Sequence, residues 1–385
     1  MRFFSFSLLI GAGAVLGHLY LYRRLVRHVA PSVAWRRALG ALLAVMTLLL
    51  VLRGPIRELG GGIAQIYPLV AYGWMALALS MVLALVVGDL VRLGTLVHAR
   101  LRPASPPPDG ARREFLKQLP RGIAAGGAVL GGYGTYKAFS APELTQLAVK
   151  IPKLPSALDG LSIVQLTDIH VGAFIKRRFI DALVAEANAL RPDVMVITGD
   201  LVDGSVAELG HAVAGLAALR GRYGTFFVTG NHDYYSGDVA WCRYLEELGI
   251  TVLRNRRVEI GDAGGSLDLV GVDDWSGGRR LDKKGYDLEL ALAGRDPDRA
   301  AVLLAHQPRN FPVAAARGID LQISGHTHGG QLFPMTALIG LGWEYSRGLY
   351  AHENSHIYVS RGCGFWGPPA RIGSPPEIVE LVLTT

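Results

Sequence analysis

The stretch "SGHTHGGQ" (324–331) places two histidines on either side of one threonine, among small residues. It continues from "IDLQIS" (319–324), a short run that predicts a buried strand. Side chains two positions apart in extended backbone point the same way, so His326 and His328 are able to face one ligand. The adjoining glycines permit sharp turns and close backbone approach. The stretch favours a metal site on a loop leaving a strand of an α/β protein; the alternative is a solvated turn.

Similar polar clusters end the other strands predicted between residues 151 and 385. The runs "LSIVQLTD", "DVMVITGD" and "TFFVTGNHD" alternate with helical patterns at about 177–190, 206–219 and 238–248, which is typical of a βαβαβ series. Further strands are predicted downstream, ending with "EIVELVLTT". The polar residues at the strand ends are Asp168, His170, Asp200, Asn231, His232, Asp233 and His306. Each alone is compatible with a turn or a core histidine, but five strand-terminal clusters in one domain favour a shared site.

The order of these motifs, D-x-H, G-D-x-x-D, G-N-H-D, H and G-H-x-H, resembles the calcineurin-like metallophosphoesterase superfamily. The resemblance covers about 160–385, and the ending "YVSRGCGFWGPPARIGSPPEIVEL" (358–381) looks like the bacterial membrane-attached branch. It implies an α/β fold, an αββα sandwich of two sheets packed face to face with helices outside. An all-α transmembrane region would precede this sandwich.

The resemblance also implies a centre with two divalent metal ions. One metal would be bound by Asp168, His170 and His328, and the other by Asn231, His306 and His326, with Asp200 bridging the two. Independently of the family, a mixed set of carboxylate, imidazole and amide ligands suits Mn²⁺, Fe or Zn²⁺ better than a soft metal that prefers thiolate ligands. Two such ions stabilise both the attacking and the leaving oxygens of an in-line displacement.

Two further residues have catalytic positions by this resemblance. His232 would donate a proton to the leaving oxygen, and Asp203 would orient its imidazole. The protein Ser/Thr phosphatases of the superfamily carry arginine after that aspartate, where this chain has Gly204. The missing guanidinium makes protein phosphatase activity a poorer prediction.

Two polar stretches near these motifs allow alternative interpretations. Asp273 and Asp274 in "GVDDW" (271–275) either border the pocket or form a turn. Tyr234 and Tyr235 either line a substrate cleft or pack in the interior.

The charge distribution separates the chain into two halves. Residues 1–150 hold 17 Lys/Arg against 5 Asp/Glu, whereas residues 151–385 hold 22 against 27. The basic half is also the apolar half, which fits loops beside a membrane and argues against a nucleic-acid surface. The two cysteines, Cys242 and Cys363, do not make a disulfide framework.

Three apolar runs predict transmembrane helices within residues 1–92, at about 3–22, 38–52 and 66–88. Core helices of a soluble protein are the alternative for each run. A cleaved signal peptide is the alternative for the first run, although that run lacks a basic n-region and a convincing cleavage site.

Residues 93–150 predict a basic, Pro-rich linker ("PASPPPDGA", 103–111) and then an apolar stretch after a twin arginine ("RREFLK", 112–117). That stretch is similar to a twin-arginine export signal, or else is a basic juxtamembrane segment followed by a flexible tether. The arginines of 23–37 and 92–121 should be cytoplasmic. The prediction is therefore a multi-pass protein of the inner (plasma) membrane, with the catalytic domain (151–385) on the periplasmic or extracytoplasmic side.

Together these features predict a membrane-anchored enzyme, a metal-dependent hydrolase of a phosphodiester or pyrophosphate bond. Its expected partners are the lipid bilayer and a phosphoester substrate, with a lipid-linked one favoured, and not nucleic acid. The alternatives are a phosphomonoesterase for a soluble substrate and a non-catalytic metal-binding scaffold. The complete set of motif residues disfavours the scaffold.

Overall fold

The computed structural model describes residues 2–27, 32–52, 56, 61–100, 110–280 and 285–385. The chain forms two compact units. The first, the helical unit, comprises Met1–Tyr136 and Gly367–Ala370. The second, the catalytic unit, comprises Lys137–Trp366 and Arg371–Thr385.

The helical unit is built from long apolar helices. They are α1 (Arg2–Leu21), α2 (Val33–Val51), α3 (Gly61–Arg100) and α4 (Gly110–Ala138). Ser32 caps α2, because its hydroxyl accepts a hydrogen bond from the backbone N–H of Trp35.

Two helices in the described part of the chain are long and apolar enough to cross a membrane, Val33–Val51 and Ile66–Ala99. They contain most of the predicted span 38–52 and all of 66–88. The predicted span 3–22 corresponds to α1. The side chains of residues 2–10 of this helix lie outside the described part of the chain. Most of the predicted linker 103–111 also lies outside the described residues.

The apolar stretch after the twin arginine is helical and not an irregular tether. It lies within α4, which packs against α3 through glycines four residues apart. A Cβ on Gly127 would meet the backbone of Ser80 and Met81, and one on Gly131 would meet Ser80. Small residues at this spacing allow two apolar helices to approach closely, which explains why so glycine-rich a sequence holds a helix here.

The catalytic unit contains two six-stranded sheets. The first has the order β1-β12-β2-β3-β4-β5 and the second the order β10-β11-β9-β8-β7-β6. In chain order the strands are β1 (Glu143–Lys150), β2 (Ser162–Leu166), β3 (Val194–Thr198), β4 (Thr225–Val228), β5 (Thr251–Val252), β6 (Arg256–Asp262), β7 (Gly265–Gly271), β8 (Ala301–Leu304), β9 (Leu321–Ser324), β10 (Gly348–His352), β11 (Ser355–Val359) and β12 (Glu377–Thr384).

Helices cover the outer faces of both sheets, and the apolar core lies between the sheets. The helices are α5 (Arg177–Ala189), α6 (Val206–Val213), α7 (Asn231–Tyr235), α8 (Asp238–Glu247), α9 (Gly277–Arg280), α10 (Leu288–Leu292), α11 (Phe311–Ala316) and α12 (Met335–Leu338). One buried cluster joins Ile163 and Val196 of the first sheet to Leu304 and Ile323 of the second. The predicted αββα sandwich is confirmed.

The catalytic unit begins earlier than the predicted residue 151. Strand β1 pairs in parallel with β12, from Glu143 opposite Glu377 to Lys150 opposite Thr384, and so extends the first sheet. Val149 is buried in the core between the sheets. The segment 143–150 is thus part of the fold and not a linker.

Candidate metal centre

The predicted ligands lie on loops at the carboxyl ends of parallel strands from both sheets. β2, β3 and β4 of the first sheet pair in parallel, as do β7, β8 and β9 of the second. Loops after β2 and β3 carry Asp168, His170, Asp200 and Asp203, and loops after β8 and β9 carry His306, His326 and His328. Asn231 and His232 open the short helix α7 that follows β4. Ligands tend to bind at such strand ends in α/β proteins.

The backbone of these loops is held in the left-handed region at five of the candidate residues. The φ angles are 52° at Asp168, 55° at His170, 49° at Asp200, 73° at His326 and 50° at His328. Non-glycine residues adopt this conformation at a cost, and such strain concentrates at functional sites.

The first cluster consists of Asp168, His170 and His328, whose ligand atoms all lie within 4.8 Å of one another. His170 Nε2 is 3.2 Å from His328 Nε2, and His328 Nε2 is 3.5 Å from Asp168 Oδ1. All three residues are buried. Three potential ligand atoms therefore converge on one small volume.

The second cluster consists of Asp200, His306 and His326 within the same distance limit. His306 Nε2 lies 3.1 Å from Asp200 Oδ2 and 3.1 Å from His326 Nδ1. The same Asp200 Oδ2 is 3.8 Å from His170 Nε2 of the first cluster. Asp200 thus stands between the two clusters, where a bridging carboxylate would be needed.

Close backbone packing brings the loops of the two sheets together. A side chain on Gly230 would collide with the carboxylate and backbone of Asp200, and one on Gly325 would collide with Asp168. Only glycine fits at these approaches.

Hydrogen bonds orient the imidazoles. His306 Nδ1 is 2.9 Å from the carbonyl oxygen of Thr198, so its N–H points there and Nε2 keeps its lone pair for the cluster. The two oxygens of Asp203 contact two different histidines, at 3.2 Å from His170 Nδ1 and 2.6 Å from His232 Nδ1. Asp203 therefore connects the first cluster to His232.

His232 is partly exposed to solvent and forms a further group with His170 and Asp200, in which the potential ligand atoms also lie within 4.8 Å of one another. Its backbone N–H donates to Asp200 Oδ1 at 2.8 Å. Its ring packs edge-on against Tyr235, with a 5.4 Å centroid distance, and against Trp366, at 5.7 Å. Asp203 contacts the His232 ring at Nδ1 and not at Nε2.

Arg371 is a buried residue of the site that the sequence did not single out. It is 1% exposed, and its Nη2 lies 3.0 Å from His328 Nδ1. Its other hydrogen bonds go to the carbonyl oxygens of His328, Gly362, Gly364 and Ser374. A guanidinium only donates, so Arg371 fixes the loops around the first cluster through these carbonyl oxygens, including that of His328 itself. The one sequence signal was its place in the family-like ending, which carries two arginines, Arg361 and Arg371.

A wall of aromatic and basic side chains adjoins the second cluster and was also missed. The Trp343 ring lies 5.0 Å from that of His326, and the Arg309 guanidinium lies 4.1 Å above Trp343. These two residues line a cavity of about 430 Å³ together with Trp275, Pro308, Gly342, Glu344 and Tyr345, so one acidic residue also borders it.

The two polar stretches with alternative interpretations, Asp273–Asp274 and Tyr234–Tyr235, mainly have structural roles. Asp273 accepts a hydrogen bond from Arg254 Nε at 2.8 Å, and Tyr234 is buried beside the same arginine. Asp274 is buried and accepts from Gln307, the neighbour of His306. Tyr235 contacts His232 and so borders the site.

The electrostatics of the centre favour cations. Burial opposes charge on His306 and His232, yet the nearby carboxylates, Asp200 foremost, raise the pKa of His306 to about 10 and that of His232 to about 9. Burial, then Arg371 and His170, lowers the pKa of His328 well below its ordinary value. A negative potential that holds protons on imidazoles also attracts a divalent cation.

One buried polar atom beside these residues in the sequence also supports a metal in this centre. Asn231 is 5% exposed, and its Oδ1 has no hydrogen-bond partner among the described residues. A buried amide oxygen without a partner is costly unless something electropositive reaches it. The carboxylate, imidazole and amide oxygen donors fit two hard or borderline divalent ions.

Two stacked sheets with two ligand clusters around one shared carboxylate define the class of α/β-sandwich metallohydrolases. The family model of the calcineurin-like phosphoesterases matches residues 161–330. A Danio rerio protein named transmembrane protein with metallophosphoesterase domain is 35% identical, over 98% of this chain and 89% of its own length. This chain therefore belongs to the calcineurin-like phosphoesterase family, whose members use a dinuclear divalent metal site to hydrolyse phosphoesters.

Further relatives come from distant organisms. A Bos taurus protein of the same name is 41% identical, and the alignment covers 66% of this chain but only 60% of that relative. An uncharacterized metallophosphoesterase of Helicobacter pylori is 37% identical over 66% of this chain and 68% of its own length.

Proposed function

We propose that this protein hydrolyses a phosphodiester or pyrophosphate bond of a lipid-linked substrate while anchored in the inner (plasma) membrane. The observation that carries the catalytic part is the pair of ligand clusters that share Asp200. The family supports phosphoester hydrolysis, and the membrane helices of the same chain support a substrate held in a bilayer.

Seven side chains would hold the two metals. Asp168, His170 and His328 form one ligand set and Asn231, His306 and His326 the other, with Asp200 shared. When bound, the metals supply Lewis-acid polarisation of the phosphoryl group and an activated water nucleophile. The chain itself fixes the ligand positions through Asp203 and Thr198, which hold the rings of His170 and His306, and through Arg371, which binds the backbone carbonyl of His328.

His232 would act on the leaving group. Asp203 binds Nδ1 and so directs Nε2 of His232 toward the open side of the site. The carboxylate of Asp203 on Nδ1 stabilises a protonated ring, and a protonated ring can supply the proton that a leaving oxygen needs. Proton donation by His232 to the departing oxygen completes the cleavage of the P–O bond.

A panel of substrates tests this proposal with the full-length protein in lipid nanodiscs. We expect turnover with phosphodiesters or lipid pyrophosphates in the presence of Mn²⁺, Fe²⁺ or Zn²⁺, and slower turnover with soluble phosphomonoesters. Asp200→Asn is the matched inactive control, because it keeps the shape of the shared side chain. Faster turnover of soluble monoesters would contradict the substrate assignment, and no turnover of any phosphoester would contradict the enzymatic one.

A further inference from the structure

An apolar rim projects from the catalytic unit at residues 333–341. Four large apolar side chains are exposed within these nine residues: Phe333 (48%), Met335 (47%), Leu338 (46%) and Leu341 (86%). In contrast, Val239, Leu290 and Val313 are exposed singly on three different helices of the same unit. Clustered exposed apolar residues mark an interaction surface, whereas scattered ones need no explanation.

The rim is fixed in position and not a loose loop. The Phe333 backbone N–H donates to the carbonyl oxygen of Ile372 at 2.9 Å, and Leu332 bridges to the same residue. Within helix α12, the Thr336 side chain is buried. The fold therefore holds the apolar side chains outward at a cost in hydration, which implies that something other than water covers them.

The rim also adjoins the candidate metal centre. It begins five residues after His328 and ends two residues before Trp343, whose ring contacts His326. Arg309, exposed above Trp343, adds a cation to this edge. Tryptophan and arginine beside apolar residues form the usual composition of a surface that sits at the boundary between lipid and water.

We propose that the apolar rim inserts into the surface of the bilayer that anchors this chain. Two helices of the described chain are long and apolar enough to cross a membrane, so the catalytic unit is tethered to lipid by its own sequence. Tethering raises the effective concentration of the bilayer, so a few apolar side chains suffice for docking. Arg309 and the exposed Arg347 match anionic headgroups in charge.

Docking of the rim would place the metal centre at the headgroup level of the bilayer. Leu341 and its neighbours would lie among the acyl chains, while the cavity beside Trp343 would receive the headgroup of a lipid-linked phosphoester. This consequence for the substrate rests on the whole proposed function, whereas docking itself rests only on the membrane anchoring within it.

Depth measurement on the full-length protein in nanodiscs tests the docking. A polarity-sensitive fluorophore is attached to cysteine in Leu341→Cys or Leu338→Cys, with Leu290→Cys as the matched exposed control. Both native cysteines, Cys242 and Cys363, are buried, so labelling is selective. We expect bromine-labelled acyl chains to quench the fluorophore at 341 and 338, and to leave the one at 290 unaffected.

Two results would overturn the proposal. If aqueous iodide quenches the labels at 341 and 290 equally, the rim is open to water. If the label at 341 is shielded from iodide but is not quenched by brominated lipid, protein covers the rim, either the helical unit or a second copy of the chain.

A kinetic comparison links the rim to substrate access. In the double variant Leu338→Asp with Leu341→Asp, we expect turnover of a lipid-embedded phosphodiester to fall roughly tenfold or more, because the charges oppose insertion. Turnover of a soluble nitrophenyl phosphodiester should stay unchanged, and Val313→Asp should affect neither. Equal loss on both substrates in a variant whose thermal unfolding matches that of the parent would overturn the access role. If the parent protein hydrolyses neither substrate, the proposed function fails while the quenching result still decides the docking.

Discussion

Asp203 connects two functions of the site through one carboxylate. One oxygen contacts Nδ1 of His170, a candidate ligand, and the other contacts Nδ1 of His232, the candidate acid. Burial disfavours its charge, but His170 and His232 together lower the pKa of Asp203, so it stays ionised and keeps both rings in place. The position of the proton donor is thereby coupled to the position of a metal ligand.

His232→Ala should keep both metals and lose turnover. A general acid contributes on the order of 10²–10⁴-fold, and the loss should shrink for nitrophenolate, which leaves without protonation. Metal analysis and steady-state rates on esters with good and poor leaving groups measure this. If the variant loses a metal, or slows both kinds of ester equally, His232 is a ligand or a phosphate-binding group.

Asp200→Asn should weaken both metal sites at once, because Asp200 Oδ2 adjoins both clusters. An amide lacks the negative charge that two cations share, so metal content after dialysis should fall below one ion per chain. Asp274→Asn provides a comparison, since Asp274 is also a buried aspartate of the site, hydrogen-bonded to Gln307 and outside the clusters. Retention of two tightly held ions by Asp200→Asn would disprove the bridging role.

Arg371→Lys should weaken the first metal site while the protein still folds. A lysine ammonium cannot reach both His328 and the loop carbonyls, and losing such an orienting partner typically lowers metal affinity or activity 10–100-fold. Stability should fall by about 1–3 kcal/mol from unpaired buried carbonyls. Metal titration and thermal unfolding measure the two effects. Arg317→Lys, on the surface, is the control, and equal metal affinity in both variants would exclude the positioning role.

The sequence located the candidate centre better than its surroundings. Carboxylates and imidazoles that recur in a fixed order of motifs can be recognised as candidate ligands from the sequence alone. The structure brings Asp168, Asp200, His306 and the other members of the two clusters together. Arg371 and Trp343 have no such signature, because each reaches the site through a long loop whose path depends on tertiary packing. Glycine and proline around them predict only turns.

At the scale of elements, most strands of the catalytic unit followed from short apolar runs bounded by turn residues. Strands β1 and β10 were not predicted. Residues 143–150 ("ELTQLAVK") expose most of their side chains, so their apolar signal is weak, and their strand conformation depends on pairing with β12. Such edge strands are set by tertiary context and not by local propensity.

Removal of β1 should destabilise the catalytic unit. A fragment of residues 151–385 lacks the buried Val149 and leaves one edge of β12 unpaired, whereas a fragment of residues 137–385 retains both. Full burial of one valine contributes roughly 1.5–3 kcal/mol, so we expect a difference of at least about 2 kcal/mol in the free energy of unfolding. Urea unfolding of the two fragments compares them, and equal midpoints would show that β1 is dispensable.

At the scale of the whole molecule, the basic segments of the helical unit begin at one end of its helices. Arg24, after α1, forms an ion pair with Asp89 of α3 at 2.6 Å, so the arginine-rich segments 23–37 and 92–121 begin at the same end of the helices. Helix α4 runs back along α3, since Ile123 adjoins Gly88 while Gly127 and Gly131 adjoin Ser80. The chain therefore leaves α4 toward the opposite end from Arg24.

This arrangement predicts on which side of the membrane the catalytic unit lies. The basic segments should stay in the cytoplasm, and residues 122–136 of α4 carry no charged side chain, so the chain after Lys137 should emerge on the extracytoplasmic side. A membrane-impermeant maleimide should label Leu290→Cys in intact cells, whereas Gln118→Cys should react only after permeabilisation. Both positions are exposed, and the native cysteines are buried, so the comparison depends on sidedness alone. Labelling of Leu290→Cys only after permeabilisation would place the catalytic unit in the cytoplasm and leave α4 as a helix that returns the chain to the same side.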